Sequence, residues 1–446
     1  MGVTVAQTIH KVRDVYGISR GFPGNYVVRD DVDGTFLGAL TESLHIVVHG
    51  SSKQGKTSVR KYNLNDDDYV AVVCQNRWTL GQLHSAILKA AGYRVEGTTT
   101  QTVSGENKIN AKFSGEAGIL GFKAKAEAGG ETLSGSATEY VEAPMELDPF
   151  DVNEIIEALL YAKAPKFIVL DDFHYLPEQT QLDFAMALKA FHEVSEYTFV
   201  IAGVWLDENR LLQYNGDLGG RVLSINADKW TRKELNEVIQ EGAKMLNIKF
   251  SDKFTSELLD GSFDSVWVVQ DACRRACDKA GINATVPQLQ VVDADAEVLV
   301  RESVAVHSAR FNGFMLGFSL GFQTTRLEMH RWILYAVLSA PIEDLERGLS
   351  YAEVTELINS AHPDAPINPG NITQALTSST SLQVIRHNVK PPVLDYDQSL
   401  RRLNVVDRSF LIWLQHQNRN ELISSFNLTG PLPAYVDDED AVDQKV

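Results

Sequence analysis

The stretch Gly50-Ser51-Ser52-Lys53-Gln54-Gly55-Lys56-Thr57, with Ser58 behind it, carries the most explicit chemistry in this chain. Gly-x-x-x-x-Gly-Lys-Thr is the spacing of a loop that cradles phosphate. Gly50 and Gly55 let the backbone turn tightly and bring N–H groups to phosphate oxygens. Lys56 supplies a mobile positive charge for the outer phosphates, and Thr57 offers a hydroxyl to Mg²⁺. The helix that starts there aims its positive end at the anion. The apolar run Leu44–His49 just before it is the strand this motif demands. A second constellation is Lys166-Phe-Ile-Val-Leu-Asp171-Asp172-Phe-His174, a buried strand ending in two acids. A P-loop enzyme needs a carboxylate at a strand end to hold Mg²⁺ through water, and a second to orient or deprotonate the attacking water. Asp171 fits the metal-side role and Asp172 the catalytic one. ATP or ADP with Mg²⁺ is the expected cofactor set.

Two further groups belong to this chemistry. Tyr26-Val27-Val28-Arg29 places an aromatic and two valines ahead of an Arg-Asp step and a helix. That suits a purine pocket, and equally a plain strand-to-helix entry. Arg221 opens the last core strand, just past the Gly-rich turn at Gly219-Gly220. In multimeric P-loop ATPases an arginine near here reaches a neighbour's γ-phosphate; the alternative is a surface arginine paired with Asp217. Arg210 is a second candidate for the same role.

The elements that must position these residues follow in order. The chain has 446 residues, 44% hydrophobic and 22% charged, enough for two or three globular domains. Residues 1–25 are a polar entry segment, and 26–228 make a nucleotide domain. Buried strands are expected at Asp68–Gln75 and Tyr197–Val204, with helices at Thr79–Gly92 and Glu178–Val194. The Gly/Ala/Thr-rich stretch 94–143 is an insertion, read as hairpins or a flap: a surface loop, or an arm for a partner or DNA. Helices at Thr231–Leu246, Ser251–Asp260 and Ser265–Ala280 give a lid over 229–282. Residues 283–324 form a linker ending in a Phe/Gly-rich run, Phe311–Phe322, which is either buried or an interface. Residues 325–425 hold three helices (Leu327–Leu338, Tyr351–Ala361, and one opening at Pro369), strands at Leu382–Val389 and Arg402–Val406, and a last helix Ser409–Gln415. That order is a winged helix-turn-helix. Its recognition helix, Gly370–Ser379, carries no Lys or Arg. Asn371, Thr373 and Gln374 are suited to base edges, and Arg386, Lys390, Arg401 and Arg402 to phosphates. DNA binding and a structural or protein-binding wing both stay open. Residues 426–446 are an acidic tail.

Composition narrows the partners. The formal net charge of −18 argues against non-specific nucleic-acid binding driven by bulk charge. Cys74, Cys273 and Cys277 make no disulfide framework or metal set and suggest buried thiols in a reducing compartment. No signal core, myristoylation pattern or run of 18 apolar residues occurs, so a soluble cytoplasmic protein without a membrane partner is expected.

The full order is entry motif, P-loop, Asp-Asp strand, strand with a trailing arginine, helical lid and winged helix. It resembles the AAA+ and STAND ATPases, most closely origin-recognition-type and bacterial STAND-like proteins. The resemblance implies an α/β fold: a three-layer αβα P-loop nucleotide domain of the ASCE type with a parallel sheet, then a helical lid and a winged helix. It implies that Gly50 through Thr57 bind phosphates and Mg²⁺, that Tyr26–Arg29 flank the base, and that Arg221-Val-Leu-Ser224 matches the Arg-Val-x-Ser of the origin-recognition group. Two departures matter. Most AAA+ motors carry Glu where this chain has Asp172, and Asp is one methylene shorter. The third lid helix shows Ser265-Val-Trp-Val-Val-Gln270 where a sensor arginine would sit. Both favour slow hydrolysis used as a switch, with self-association or a protein partner. The alternatives are an ATP-dependent DNA loader or regulator, and a nucleotide-stabilised scaffold.

Overall fold

The computed structural model describes residues 8–17, 22–101, 107–113, 143–205, 210–228, 230–322 and 326–426. Strands β1 (His45–His49) and β2 (Tyr69–Val73) come first. The insertion follows as an antiparallel sheet of β3 (Tyr93–Gln101), β4 (Asn107–Phe113) and β5 (Ala143–Leu147). Strands β6 (Phe167–Asp171), β7 (Thr198–Ala202) and β8 (Val222–Asn226) complete a parallel sheet of order β2-β6-β7-β1-β8. Every pairing in it is parallel, so all its carboxyl ends share one edge. Its central strands β1 and β7 are buried at all five positions, which is why they read as unbroken apolar runs. Separate apolar clusters cover the two faces. One is centred on Leu83, Phe184 and Phe199, the other on Phe36, Val48 and Val59. The three-layer αβα arrangement is thereby established.

His45 shows how tightly the sheet is locked. Its Nε2–H donates to Leu188 O at 3.2 Å while its Nδ1 accepts from the Phe199 N–H at 3.0 Å. Burial pushes its pKa down to about 3, with His192 adding to the shift.

Helices Arg232–Leu246, Asp252–Gly261 and Val266–Lys279 form the lid region. Strands β9 (Ile248–Phe250) and β10 (Gln290–Val292) pair there in parallel. The stretch read as a linker is mostly helical: Ala296–Ala305 packs on the lid helices, and Ser308–Leu320 runs on to the C-terminal unit. Phe311, Phe314 and Phe318 are buried, Phe311 and Phe314 against Phe410, while Leu316, Leu320 and Phe322 of the same run are exposed. Near the N-terminus, Val12, Val15 and Tyr16 are also buried against the lid region. The C-terminal unit runs helix Met329–Ser339, β11 (Leu349–Ser350), helices Tyr351–Ala361 and Pro369–Thr377, then β12 (Leu394–Asp397) and β13 (Arg402–Val405). A sheet of order β11-β13-β12 makes this a winged helix.

One expected strand is wrong. Leu382–Arg386 is a π-helical turn, and the wing is β12 with β13. The alternation of Leu382 and Val384 imitates a strand. Buried Gln383 decides otherwise: its Nε2 donates to Ser379 O and Leu394 O, and its Oε1 accepts from the Val393 and Leu394 N–H groups. The lid and the winged unit share one continuous apolar cluster, from Val12 through Phe311 to Ile423. The acidic C-terminal run and most of the insertion lie outside the described residues.

Candidate functional site: a phosphate loop beneath a docked winged unit

The loop 50–55 leaves the carboxyl end of β1 and turns into helix Lys56–Asn63. Gly50 has φ 134° and Gly55 φ 85°, backbone that only glycine adopts without strain. A Cβ on Gly50 would lie 2.7 Å from Asp228 Oδ1. Lys56 Nζ donates to Gly50 O at 2.9 Å and Ser51 O at 2.5 Å, folded back over its own loop. Burial lowers its pKa to about 8, opposed by Asp228, Asp172 and Asp171.

Asp171 ends β6, which lies two strands from β1, about 10 Å across the sheet. Asp172 follows with φ 59°, starting a short turn. Burial raises the pKa of Asp171, offset by Arg60, Lys61 and Lys56; Arg60 lies 3.7 Å from its carboxylate. Burial and then Asp171 raise that of Asp172, offset by Lys56 and Lys390. The glycine loop, Lys56, Thr57 and both acids therefore share one edge of one sheet. Among the described residues no group of three or more His, Cys, Asp or Glu side chains is placed to hold a metal. Thr57 and Asp171 alone suit Mg²⁺, which keeps several waters and takes phosphate oxygens for the rest.

Buried polar side chains flank the loop. Buried Gln54 accepts from the Val266 N–H at 3.3 Å, and its Nε2 has no hydrogen-bond partner among the described residues. Arg29, 1% exposed, donates to Ala227 O at 2.8 Å and lies 3.9 Å from the Trp230 ring centroid. Its Nε and one terminal nitrogen are unpartnered, as is Asn25 Oδ1. Val27 is buried and Val28 exposed. Tyr26 stacks on Tyr62, lies against the tilted Phe22 ring and donates to Asp33 Oδ1 at 2.6 Å, so its ring belongs to that aromatic cluster. Ser52, Ser58 and the exposed Thr57 lie on the loop and first helical turn. Lys53 points away: its Nζ lies 3.7 Å from the Trp267 ring centroid and 2.9 Å from His307 Nε2.

The arginines separate from this site. Arg221 lies at the start of β8, beside His45, about 16 Å along the sheet from Gly50. It bonds Glu193 at 3.0 Å and also Asp217 O, so any action on phosphate would be on another molecule. Arg210 pairs with Asp395 of the winged unit at 2.6 Å, the two side chains 12% and 2% exposed. The start of helix Val266–Lys279 meets the loop through Val266 and Trp267, while Arg274 and Arg275 are tied to Asp271.

Three features escaped sequence reasoning. Asp228 clamps the loop, accepting from the Ser51 N–H at 2.7 Å and Ser51 Oγ at 2.5 Å. Trp230 Nε1 donates to Gln54 O at 3.3 Å. The winged unit comes up beside the turn that follows Asp172, with Lys390 Nζ 4.6 Å from the Tyr175 ring centroid. A polar residue just past the last core strand was the available signal for Asp228; nothing local signals Lys390. On the winged unit, Asn371 and Gln374 line a cavity of about 1000 Å³ walled by Leu316, Leu320 and Phe322. Arg401 stacks on Tyr351, and Arg402 donates to Gly348 O at 2.6 Å.

Among the described residues no helix is long and apolar enough to cross a membrane. No family model and no curated protein matches the sequence. Solved structures do. The Walker-type ATPase of Pyrococcus abyssi aligns at TM-score 0.50 and 10% identity, over 90% of this chain and 99% of that one. The Aeropyrum pernix ORC1 protein, solved in complex with DNA, gives 0.42 at 12% identity over 94% and 99%. Cdc6p from Pyrobaculum aerophilum gives 0.39 at 12% identity over 94% and 99%. The first likeness carries the comparison. Together with the sheet order and the glycine loop, it gives the chain a three-layer αβα P-loop fold followed by a winged-helix unit.

Proposed function

We propose that this protein is an ATP-binding, slowly hydrolysing switch of the STAND kind, whose nucleotide state controls how the winged unit sits on the core. The observation that supports it most is the convergence of Lys56 and the Asp171/Asp172 pair beneath a docked C-terminal unit. The loop N–H groups and Lys56 hold the phosphates. Thr57 and Asp171 hold Mg²⁺, which when bound neutralises developing phosphate charge. Asp172 orients the attacking water from a side chain one methylene shorter than glutamate's, and so reaches it less well. Val266 and Trp267 close the loop without adding a cation, in keeping with slow turnover.

The winged unit meets the core through polar contacts: Arg210 with Asp395, and Lys390 over Tyr175. A seam of this kind separates more readily than an apolar one. Placement of Asn371 and Gln374 along a cavity, and engagement of Arg401 and Arg402 within their own unit, favour the switch over DNA reading.

The test is steady-state ATPase and nucleotide binding with Lys56→Ala and Asp172→Asn. Lys56→Ala should weaken binding, and Asp172→Asn should leave binding intact while lowering turnover about 100-fold, the size of one lost transition-state contact. If neither substitution alters turnover or binding, the assignment fails.

A further inference from the structure

Lys390 has no hydrogen bond or ion pair among the described residues, although it is half-buried. Its ammonium rests on the face of Tyr175, whose N–H donates to Asp172 O at 2.9 Å. An ammonium over an aromatic face, with no directly bonded carboxylate among the described residues, is free to take an anion. The loop that presents it is firmly built. The Gln383 side chain clamps the loop's far end, Val389 N–H donates to Gln383 O at 2.8 Å, and Arg310 donates to Pro391 O at 3.1 Å. The charge of Lys390 is felt at Asp172 and His174.

We propose that Lys390 completes the outer-phosphate end of the nucleotide site in cis, so that one chain supplies the cation a ring-forming ATPase takes from its neighbour. The inference rests on the nucleotide reading above. The other candidates are engaged elsewhere: Arg221 is at the far edge of the sheet, Arg210 is paired with Asp395, and the lid presents Trp267. A third phosphate then gives the half-buried ammonium a direct anionic partner and draws the winged unit onto the core. With the diphosphate that contact is absent, and the polar seam is freer to part. Lys390 in this role distinguishes ATP from ADP.

The experiment measures displacement of a fluorescent ADP by ATP and by ADP, for wild type, Lys390→Ala, Lys390→Arg and Arg221→Ala, with ATPase rates over a 50-fold range of protein concentration (about 0.2 to 10 μM, the micromolar scale of ordinary affinities). Circular-dichroism melts check folding. Lys390→Ala should weaken ATP about tenfold and ADP less than twofold, one charge-assisted contact's worth. Lys390→Arg should restore most of it. Turnover per chain should not depend on concentration, and Arg221→Ala should leave it unchanged. An unchanged ATP-to-ADP ratio in Lys390→Ala, or turnover that rises with concentration and is lost in Arg221→Ala, overturns the inference and leaves the nucleotide reading standing. Wild type that binds neither nucleotide overturns both.

Discussion

Replacing Asp228 separates loop geometry from loop charge. Its carboxylate holds both the N–H and the hydroxyl of Ser51, and it is 8% exposed. Hydrogen bonds to a charged group contribute about 1.5–3 kcal/mol each. Asp228→Ala removes both, about 3 kcal/mol at the low end. Those bonds order the first turn of the loop, so the loss falls on nucleotide binding, which should weaken about 100-fold at 1.4 kcal/mol per decade. Asp228→Asn behaves differently. Its Oδ1 still accepts from the Ser51 N–H, and its Nδ2 donates to Ser51 Oγ. It also removes a negative charge close to where phosphate binds, while withdrawing some support from the Lys56 ammonium. These two effects oppose, and affinity should stay within about threefold of wild type. Displacement of a fluorescent ADP, with melts as a folding control, reads both variants. Equal damage by Asn and Ala would show that charge and not geometry matters. An unaffected Asp228→Ala would show that the loop is ordered without the clamp.

Two further outcomes test the scaffold. Arg210→Ala leaves the buried Asp395 carboxylate with only the Thr380 hydroxyl, 2.7 Å away, and should destabilise the docked form by about 3 kcal/mol; limited proteolysis at the seam and chemical denaturation read it, and unchanged cleavage would contradict the docking geometry. The second concerns acid. His45 and His84 are held neutral by burial, with pKa values pushed down to about 3 and about 4. The unfolded chain takes up their protons first as pH falls below about 6.5. Their contribution is thus full above that pH and declines towards pH 4, by up to about 1.4 kcal/mol per unit for each group. His45→Gln should flatten the fall in melting temperature between pH 6.5 and 4.5, and an unchanged slope would refute the assignment.

The parallel sheet was legible because its strands are short apolar runs closed by residues that do chemistry: Leu44–His49 by the glycine loop, Phe167–Leu170 by two aspartates. Local spacing fixed both motifs. It could not supply the strand order, which brings them together, nor Asp228, whose partner lies 177 residues away in sequence. The wing was misread for a related reason. Leu382 and Val384 alternate as a strand would, and only the long-range bonds of Gln383 select a helical turn. Local spacing likewise gave no sign that Tyr26 would meet Tyr62 and Phe22.

The single apolar cluster running from the lid through Phe311 into the winged helix has a mechanical consequence. Parting those two units would bring phenylalanines and Trp413 into water, whereas parting the winged helix from the nucleotide domain breaks the Arg210–Asp395 ion pair and the Lys390–Tyr175 contact. Among the described residues the lid and the winged helix are therefore built to move together. The lysine at the fourth place of the phosphate loop reaches across to His307. Their joint movement pulls on the loop directly, with no intervening gearing.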